Sequence, residues 1–425
     1  MTHSTIDTSR RSILRGMAAV AAAGGMGALA PDSVAAPAAV AFARPASIPG
    51  VQPFKAAVPQ AALDDLKLRL SMVRWPDQET VPDWSQGLPL QRLQALVDYW
   101  TDHYDWRRAE AALNAFPQFT TRIDGLDIHF LHVRSRHANA LPIVLTHGWP
   151  GSVFEFLKVI GPLVDPTAHG GKAEDAFHVV IPALPGFGFS GKPTATGWGL
   201  PHIARAWSTL MQRLGYTKWV AQGGDWGAGV TTWLAKQHAP GLAAVHLNLP
   251  ILFPPPLEGT PDAAEQAAIA ELAAYDANKS GYAKLQTTRP QTIGYALADS
   301  PVGLAAWIYE KFGEWTDSGH DPESVVARDA ILDDITLYWL TDSGASSARL
   351  YAESFTTDFS LQKLDLPVAV SVFPGELYHP PRKWGERAYS KLYYWNEAPR
   401  GGHFAAFEQP AVFTAEVRRA FATIR

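Results

Sequence analysis

The chain has 425 residues, a formal net charge of −5 and no cysteine. That length allows a large buried core, and the missing cysteine excludes disulfides, thiol catalysis and Cys-ligated zinc. The near-balanced charge has no long single-sign run and points to neither nucleic acid nor an anionic membrane as a partner; the fourteen histidines show no HExxH or comparable spacing that would call for a metal.

At the amino terminus, Ser9-Arg10-Arg11-Ser12-Ile13-Leu14-Arg15 precedes a small-residue apolar segment from Gly16 to Ala30. Paired arginines before such a segment predict a twin-arginine export signal with its linker over residues 1–45, and so an exported protein in the periplasm of a bacterium or outside the cell. The apolar run is too short and too rich in Gly for a retained membrane span, so no span is expected in the mature chain. Residues 46–125 read as an arm with leucines at helical spacing in Ala61–Val73 and Leu90–Tyr104. Trp75, Trp84, Trp106, Phe116 and Phe119 look like anchors onto a larger body.

From residue 126 to 251 the pattern alternates between strand and helix. Asp127–Arg134, Leu141–Thr146, Phe177–Ile181, Trp219–Ala221 and Ala243–Leu249 are strand-like, while Val153–Ile160 and Leu200–Leu214 are helical. Such alternation predicts a mostly parallel sheet flanked by helices, with the site in loops at the carboxyl ends of the strands. Residues 252–360, with Pro254, Pro255 and Pro256 at their start and amphipathic stretches at Val302–Phe312 and Ile331–Leu340, read as a helical cap inserted over that site. The alternation resumes over 361–425: Val368–Val372 and Leu392–Trp395 as strands, Arg382–Lys391 and Ala411–Thr423 as helices.

The chemistry concentrates at Gly223-Gly224-Asp225-Trp226-Gly227, between a strand and a helix. A turn that tight lifts its central side chain clear of the sheet, a place usually held by Ser. Asp225 could attack an electrophilic carbon and form an ester with the substrate; the same residues also fit a Gly-rich turn capped by Asp. An ester needs a base for its hydrolysis, and a base needs a partner carboxylate. His403, in a Gly-flanked loop after the last strand, and Glu376, just after the preceding strand, complete the order nucleophile, acid, histidine of an α/β-hydrolase fold. Asp365 and Glu397 compete with Glu376, which the end of a strand favours.

His147-Gly148-Trp149-Pro150-Gly151-Ser152, the Asp225 elbow, Thr288-Arg289-Pro290 and Arg400-Gly401-Gly402-His403-Phe404-Ala405-Ala406-Phe407-Glu408 together resemble the microsomal-type epoxide hydrolases. So do Arg74-Trp75-Pro76 and Leu113-Asn114-Ala115-Phe116-Pro117-Gln118-Phe119 of the arm, and the resemblance runs from about Ile48 to the carboxyl terminus. An export signal stands where the animal members have a membrane-anchoring helix, which removes the endoplasmic reticulum as a location.

The resemblance implies Asp225 as nucleophile, His403 as base, Glu376 as its partner, and two cap tyrosines, Tyr282 and Tyr351, as donors to the epoxide oxygen. A donor is also what the chemistry asks for, because an epoxide opens to a poor alkoxide leaving group. Backbone N–H groups of Trp149 and Trp226 should form the oxyanion hole. His147 and Gly148 support their loop, and Pro150 is a candidate for a cis bond. The expected reaction joins an epoxide and water to give a vicinal diol, with no cofactor and no metal, in a monomer or a homodimer. Two rivals remain: a haloalkane dehalogenase-like hydrolase, which would have no need of paired tyrosines, and a catalytically silent α/β-hydrolase fold that binds apolar ligands.

Overall fold

Nine strands make one sheet in the computed structural model, which describes residues 47–254, 260–355 and 363–425. In chain order they are β1 (Val51–Phe54), β2 (Gln118–Ile123), β3 (Leu126–Val133), β4 (Leu141–Thr146), β5 (Phe177–Pro182), β6 (Trp219–Gly223), β7 (Leu242–Leu247), β8 (Val368–Val372) and β9 (Leu392–Glu397). Their order across the sheet is β1-β2-β3-β5-β4-β6-β7-β8-β9. The pairs from β5 to β9 are parallel, whereas β1, β2 and β3 run antiparallel to their neighbours and to β5.

Strands β5, β6 and β8 are buried at every position, as expected of parallel strands covered on both faces. Val144, Val179, Val220, Val245 and Val370 are fully buried, each stabilising the fold by about 1.5–3 kcal/mol through burial of its side chain. That rigid centre holds the loops above it. The chain leaves β4 for β5 on one side and returns to β6 on the other, so the crevice at the carboxyl ends of β4 and β6 is where such a sheet places a ligand.

The helices follow in order. The arm carries α1 (Gln60–Ser71), α2 (Leu90–Asp102) and α3 (Trp106–Asn114); α4 (Leu157–Val164), α5 (Leu200–Arg213) and α6 (Asp225–Lys236) lie between strands. Between β7 and β8 come α7 (Ala263–Asn278), α8 (Gly281–Thr288), α9 (Pro290–Asp299), α10 (Pro301–Trp315), α11 (Arg328–Leu340) and α12 (Ser343–Ser354). The chain closes with α13 (Arg382–Ala388), α14 (Ala405–Glu408) and α15 (Pro410–Phe421). Helix α7 starts where Asp262 and Glu265 accept each other's backbone N–H at 3.0 and 3.1 Å, a reciprocal cap. Residues 1–45, where an export signal is expected, Pro255 and Pro256, and the end of the insertion near residue 360 lie outside the described residues.

The arm differs from the helical packing segment expected of 46–125. It contributes β1 and β2 to the sheet, and β2 pairs with β3 in register from Gln118↔Leu131 to Ile123↔Leu126. The cause is local: Asp124-Gly125, both at positive φ, form a two-residue hairpin turn, so the strand pattern starts before residue 126. The arm also grips the insertion. Trp100 Nε1 donates to Thr336 at 3.0 Å, Tyr104 donates to Asp333 at 2.8 Å, and Arg108 forms an ion pair with Asp333, all on α11. Helix α13 is shorter than the Arg382–Lys391 expected, because the chain turns into β9 at Leu392.

Candidate active site

The loop after β6 sets Asp225 at φ +50°, a left-handed conformation that non-glycine residues rarely adopt. It is tolerated because the flanking chain is pressed flat: a Cβ at Gly223 would strike the Gly227 carbonyl, and one at Gly227 would strike that of Thr146. The strained residue therefore projects from the start of α6 over the crevice. Trp149 N–H, in the loop after β4, donates to Asp225 Oδ1 at 2.8 Å. The preceding expectation of a cis bond is met at Trp149–Pro150. Trp226 follows Asp225 in the first helical turn, where N–H groups have no intrahelical acceptor.

His403 reaches the other oxygen. Its Nε2 lies 3.3 Å from Asp225 Oδ2, and its Nδ1 lies 2.7 Å from Glu376 Oε1. A carboxylate only accepts, so Nδ1–H donates to Glu376 and, in the charged imidazole, Nε2–H donates to Asp225. Burial lowers the imidazole's affinity for a proton, but the Glu376 and Asp225 carboxylates outweigh it and hold the pKa well above the ordinary value. Asp365 and Glu397 are not part of the group: Asp365 pairs with His238 at the surface, and Glu397 is exposed at the edge of the sheet. His147 is a loop support, with Nε2 accepting from Leu184 N–H at 3.1 Å and Nδ1–H donating to the Gly148 carbonyl at 2.9 Å. Burial pushes its pKa down to about 4, which keeps it in that neutral form.

The insertion brings two tyrosines over the carboxylate. Tyr282 of α8 stacks on Trp149 with ring centroids 5.2 Å apart, Tyr351 of α12 meets Trp226 edge-on at 4.6 Å, and the two tyrosines are 5.9 Å apart. Both are buried. Burial, then neighbouring hydroxyls and the Asp225 charge, push both phenols well above their usual range, so both carry protons at neutral pH. A cavity of about 550 Å³ opens beside them, bounded by Asp225, Trp226, Leu249, Leu272, Tyr282 and Tyr351 among others. Asp225, His403, Glu376, Tyr282, Tyr351 and Trp149 are thus gathered from six separate segments.

A family model described as "Epoxide hydrolase N terminus" matches residues 51–156, and one described as "alpha/beta hydrolase fold" matches residues 142–288. A candidate epoxide hydrolase of Stigmatella aurantiaca is 65% identical over 377 residues, covering 88% of this chain and 86% of that protein. Epoxide hydrolase 1 of Oryctolagus cuniculus is 35% identical over 398 residues, covering 86% of this chain and 88% of that one. This chain belongs to the epoxide hydrolase family. The solved epoxide hydrolase of Aspergillus niger superposes with a TM-score of 0.79 at 35% identity, covering 88% of this chain and 96% of that one.

For this epoxide hydrolase family member, the expectation of an α/β-hydrolase fold holds. Two features of the site escaped sequence reasoning. Tyr275 of α7 hydrogen-bonds through its hydroxyl to that of Tyr282 at 2.8 Å, seven residues away on a separate helix. Glu408 accepts from the Asp317, Gly402 and Phe404 N–H groups, at 2.8, 3.1 and 3.0 Å, and so ties the histidine loop to the end of α10. Glu408 stands in the motif around His403, and its spacing from that loop was the available signal.

Proposed function

We propose that this chain hydrolyses epoxides to vicinal diols through an ester on Asp225. The observation that carries the reading is the Asp225 carboxylate itself, held on Oδ1 by Trp149 N–H and facing His403 on Oδ2, with two protonated tyrosines beside it. Oδ2 attacks a ring carbon, and the C–O bond of the epoxide breaks. Tyr282 and Tyr351 donate hydrogen bonds to the oxygen, and one of them gives it a proton. Water then loses a proton to His403 and adds to Asp225 Cγ. The charge that develops on Oδ1 meets the N–H groups of Trp149 and Trp226. When the Cγ–Oδ2 bond breaks, Oδ2 leaves with the diol and takes the proton held by His403, and the proton left on the new Asp225 carboxyl returns through solvent to the tyrosine that gave one up.

The imidazole's charge follows this sequence. Two carboxylates raise its pKa in the resting protein, and ester formation neutralises one of them. His403 becomes easier to deprotonate when a base is first needed.

Tyr282→Phe and Tyr351→Phe are each expected to slow ester formation by roughly 10²-fold, the cost of one transition-state donor. Rapid-quench kinetics with styrene oxide measure that step. A halide leaves without a proton, so equal losses with a haloalkane substrate would count against the epoxide reading.

We infer further that residues 1–45 direct export after folding, from Arg10-Arg11 before the apolar segment. Replacing both arginines with lysine is expected to leave full-length precursor in the cytoplasm of a bacterial host, measured by fractionation and immunoblot. Unimpaired export of the variant would refute the assignment.

A further inference from the structure

Asp225 is a partition between two spaces. The apolar cavity of about 550 Å³ lies on the side of Tyr282 and Tyr351. On the other side is a chamber of about 20 Å³ bounded by His403, Phe404, Gly148, Gly224, Asn248 and Glu155, among others. Asp225 is the one residue common to both linings. The larger space suits an epoxide, and the smaller has room for about one water molecule. His403 lines the small chamber and not the large one, so the base stands on the water side.

Apart from His147, whose two ring nitrogens are taken up by Leu184 and Gly148, Glu155 is the ionisable group in that chamber with no part in the steps above. It lies in the short turn Val153–Phe156 that follows the Trp149 loop, and its carboxyl folds back over Gly151, where any Cβ would overlap Oε1. The residue is buried, and among the described residues no hydrogen bond reaches its carboxyl. Burial holds its carboxyl well above the usual carboxylate range against the pull of the His403 charge, and Asp334 of α11 adds to this only when it is charged. Asp334 is itself pushed up to about 8 by burial.

We propose that Glu155 is the positioning residue for the hydrolytic water, holding it in the small chamber between His403 Nε2 and Asp225 Cγ. This rests on the reading of Asp225 as the nucleophile. One hydrogen of the water points to His403 and the other to the Glu155 carbonyl oxygen, which leaves a lone pair directed at Cγ. A neutral acid does this without placing a further negative charge beside Asp225 and Glu376. Glu155 forms no bond with substrate and acts only through the water.

Rapid-quench mass spectrometry of the Asp225 peptide, with styrene oxide in a single turnover, separates ester formation from ester hydrolysis. Glu155→Met keeps volume but lacks an acceptor; Glu155→Gln keeps the carbonyl; Glu155→Asp withdraws it by one methylene. All three are first checked for folding by thermal melting. Formation is expected within about twofold of wild type in each, and hydrolysis slowed roughly 10²-fold in Glu155→Met, as for a misplaced reactant. Glu155→Gln should restore hydrolysis to within a few-fold, and Glu155→Asp should slow it in between, which keeps the test available if the Met variant does not fold. Wild-type hydrolysis in the Met and Asp variants, or equal loss of both steps in every variant, would overturn the proposal while leaving the ester mechanism standing. Absence of any ester, in wild type and in His403→Gln, would overturn the ester mechanism and this proposal with it.

Discussion

Asp225→Ala is expected to lower turnover of styrene oxide by roughly 10⁴- to 10⁶-fold, the range seen when a nucleophile that acts as part of a unit is removed. The other parts of the site cannot substitute for it. On the proposed reading Tyr282 and Tyr351 polarise an oxygen but offer no attacking atom, and His403 lines the small chamber rather than the apolar cavity. The fold should survive, because α6 and the strands beneath it are held by buried apolar contacts and by the glycine approaches at Gly223 and Gly227. Full activity of a folded Asp225→Ala protein would end the covalent reading. Isotope placement gives a second check on the same carboxylate. In a single turnover in H₂¹⁸O the label should enter Asp225 and not the diol, since the product carries away Oδ2.

His403→Gln is expected to divide the reaction into two halves. Asp225 keeps its oxyanion donor Trp149 and its two tyrosines, so the ester should form once per protein molecule. Its hydrolysis should fall by about 10³- to 10⁴-fold, at the upper end of what a positioned general base contributes. The readouts are a product-free burst of one equivalent and a gain of one epoxide mass on the peptide containing Asp225. Glutamine matches the imidazole in size well enough to leave the chamber closed. It also leaves Glu376 a hydrogen-bond donor, so that no buried carboxylate loses its only side-chain partner. Steady turnover by this variant would show that some other group activates the water. Failure of the adduct to form, in a folded protein offered several epoxides, would count against Asp225 as the nucleophile.

Much of the site was legible before any fold was known, because its first requirement is local. Five consecutive residues with three glycines impose a turn that lifts the middle side chain, and no distant contact is needed to see this. The order Asp225, Glu376, His403 follows from strand ends, which the hydrophobic pattern marks well where parallel strands are buried on both faces. The arm was harder to read. Helical leucine spacing dominated its pattern and hid two short edge strands, and the Asp124-Gly125 turn that reveals the hairpin fell on the boundary drawn between arm and core.

The sequence by itself determined the sheet's alternation, the elbow and the residue types of the candidate site, since each depends on residues adjacent in the chain or at a fixed period along it. Only the tertiary structure decided which oxygen of Asp225 meets Trp149 and which meets His403, that Tyr275 binds Tyr282, that the arm clasps α11, and that Asp225 divides an apolar cavity from a chamber of about 20 Å³. Those facts depend on side chains brought together from separated segments by packing. Periodicity records which face of an element is buried, and carries nothing about which partner it is buried against.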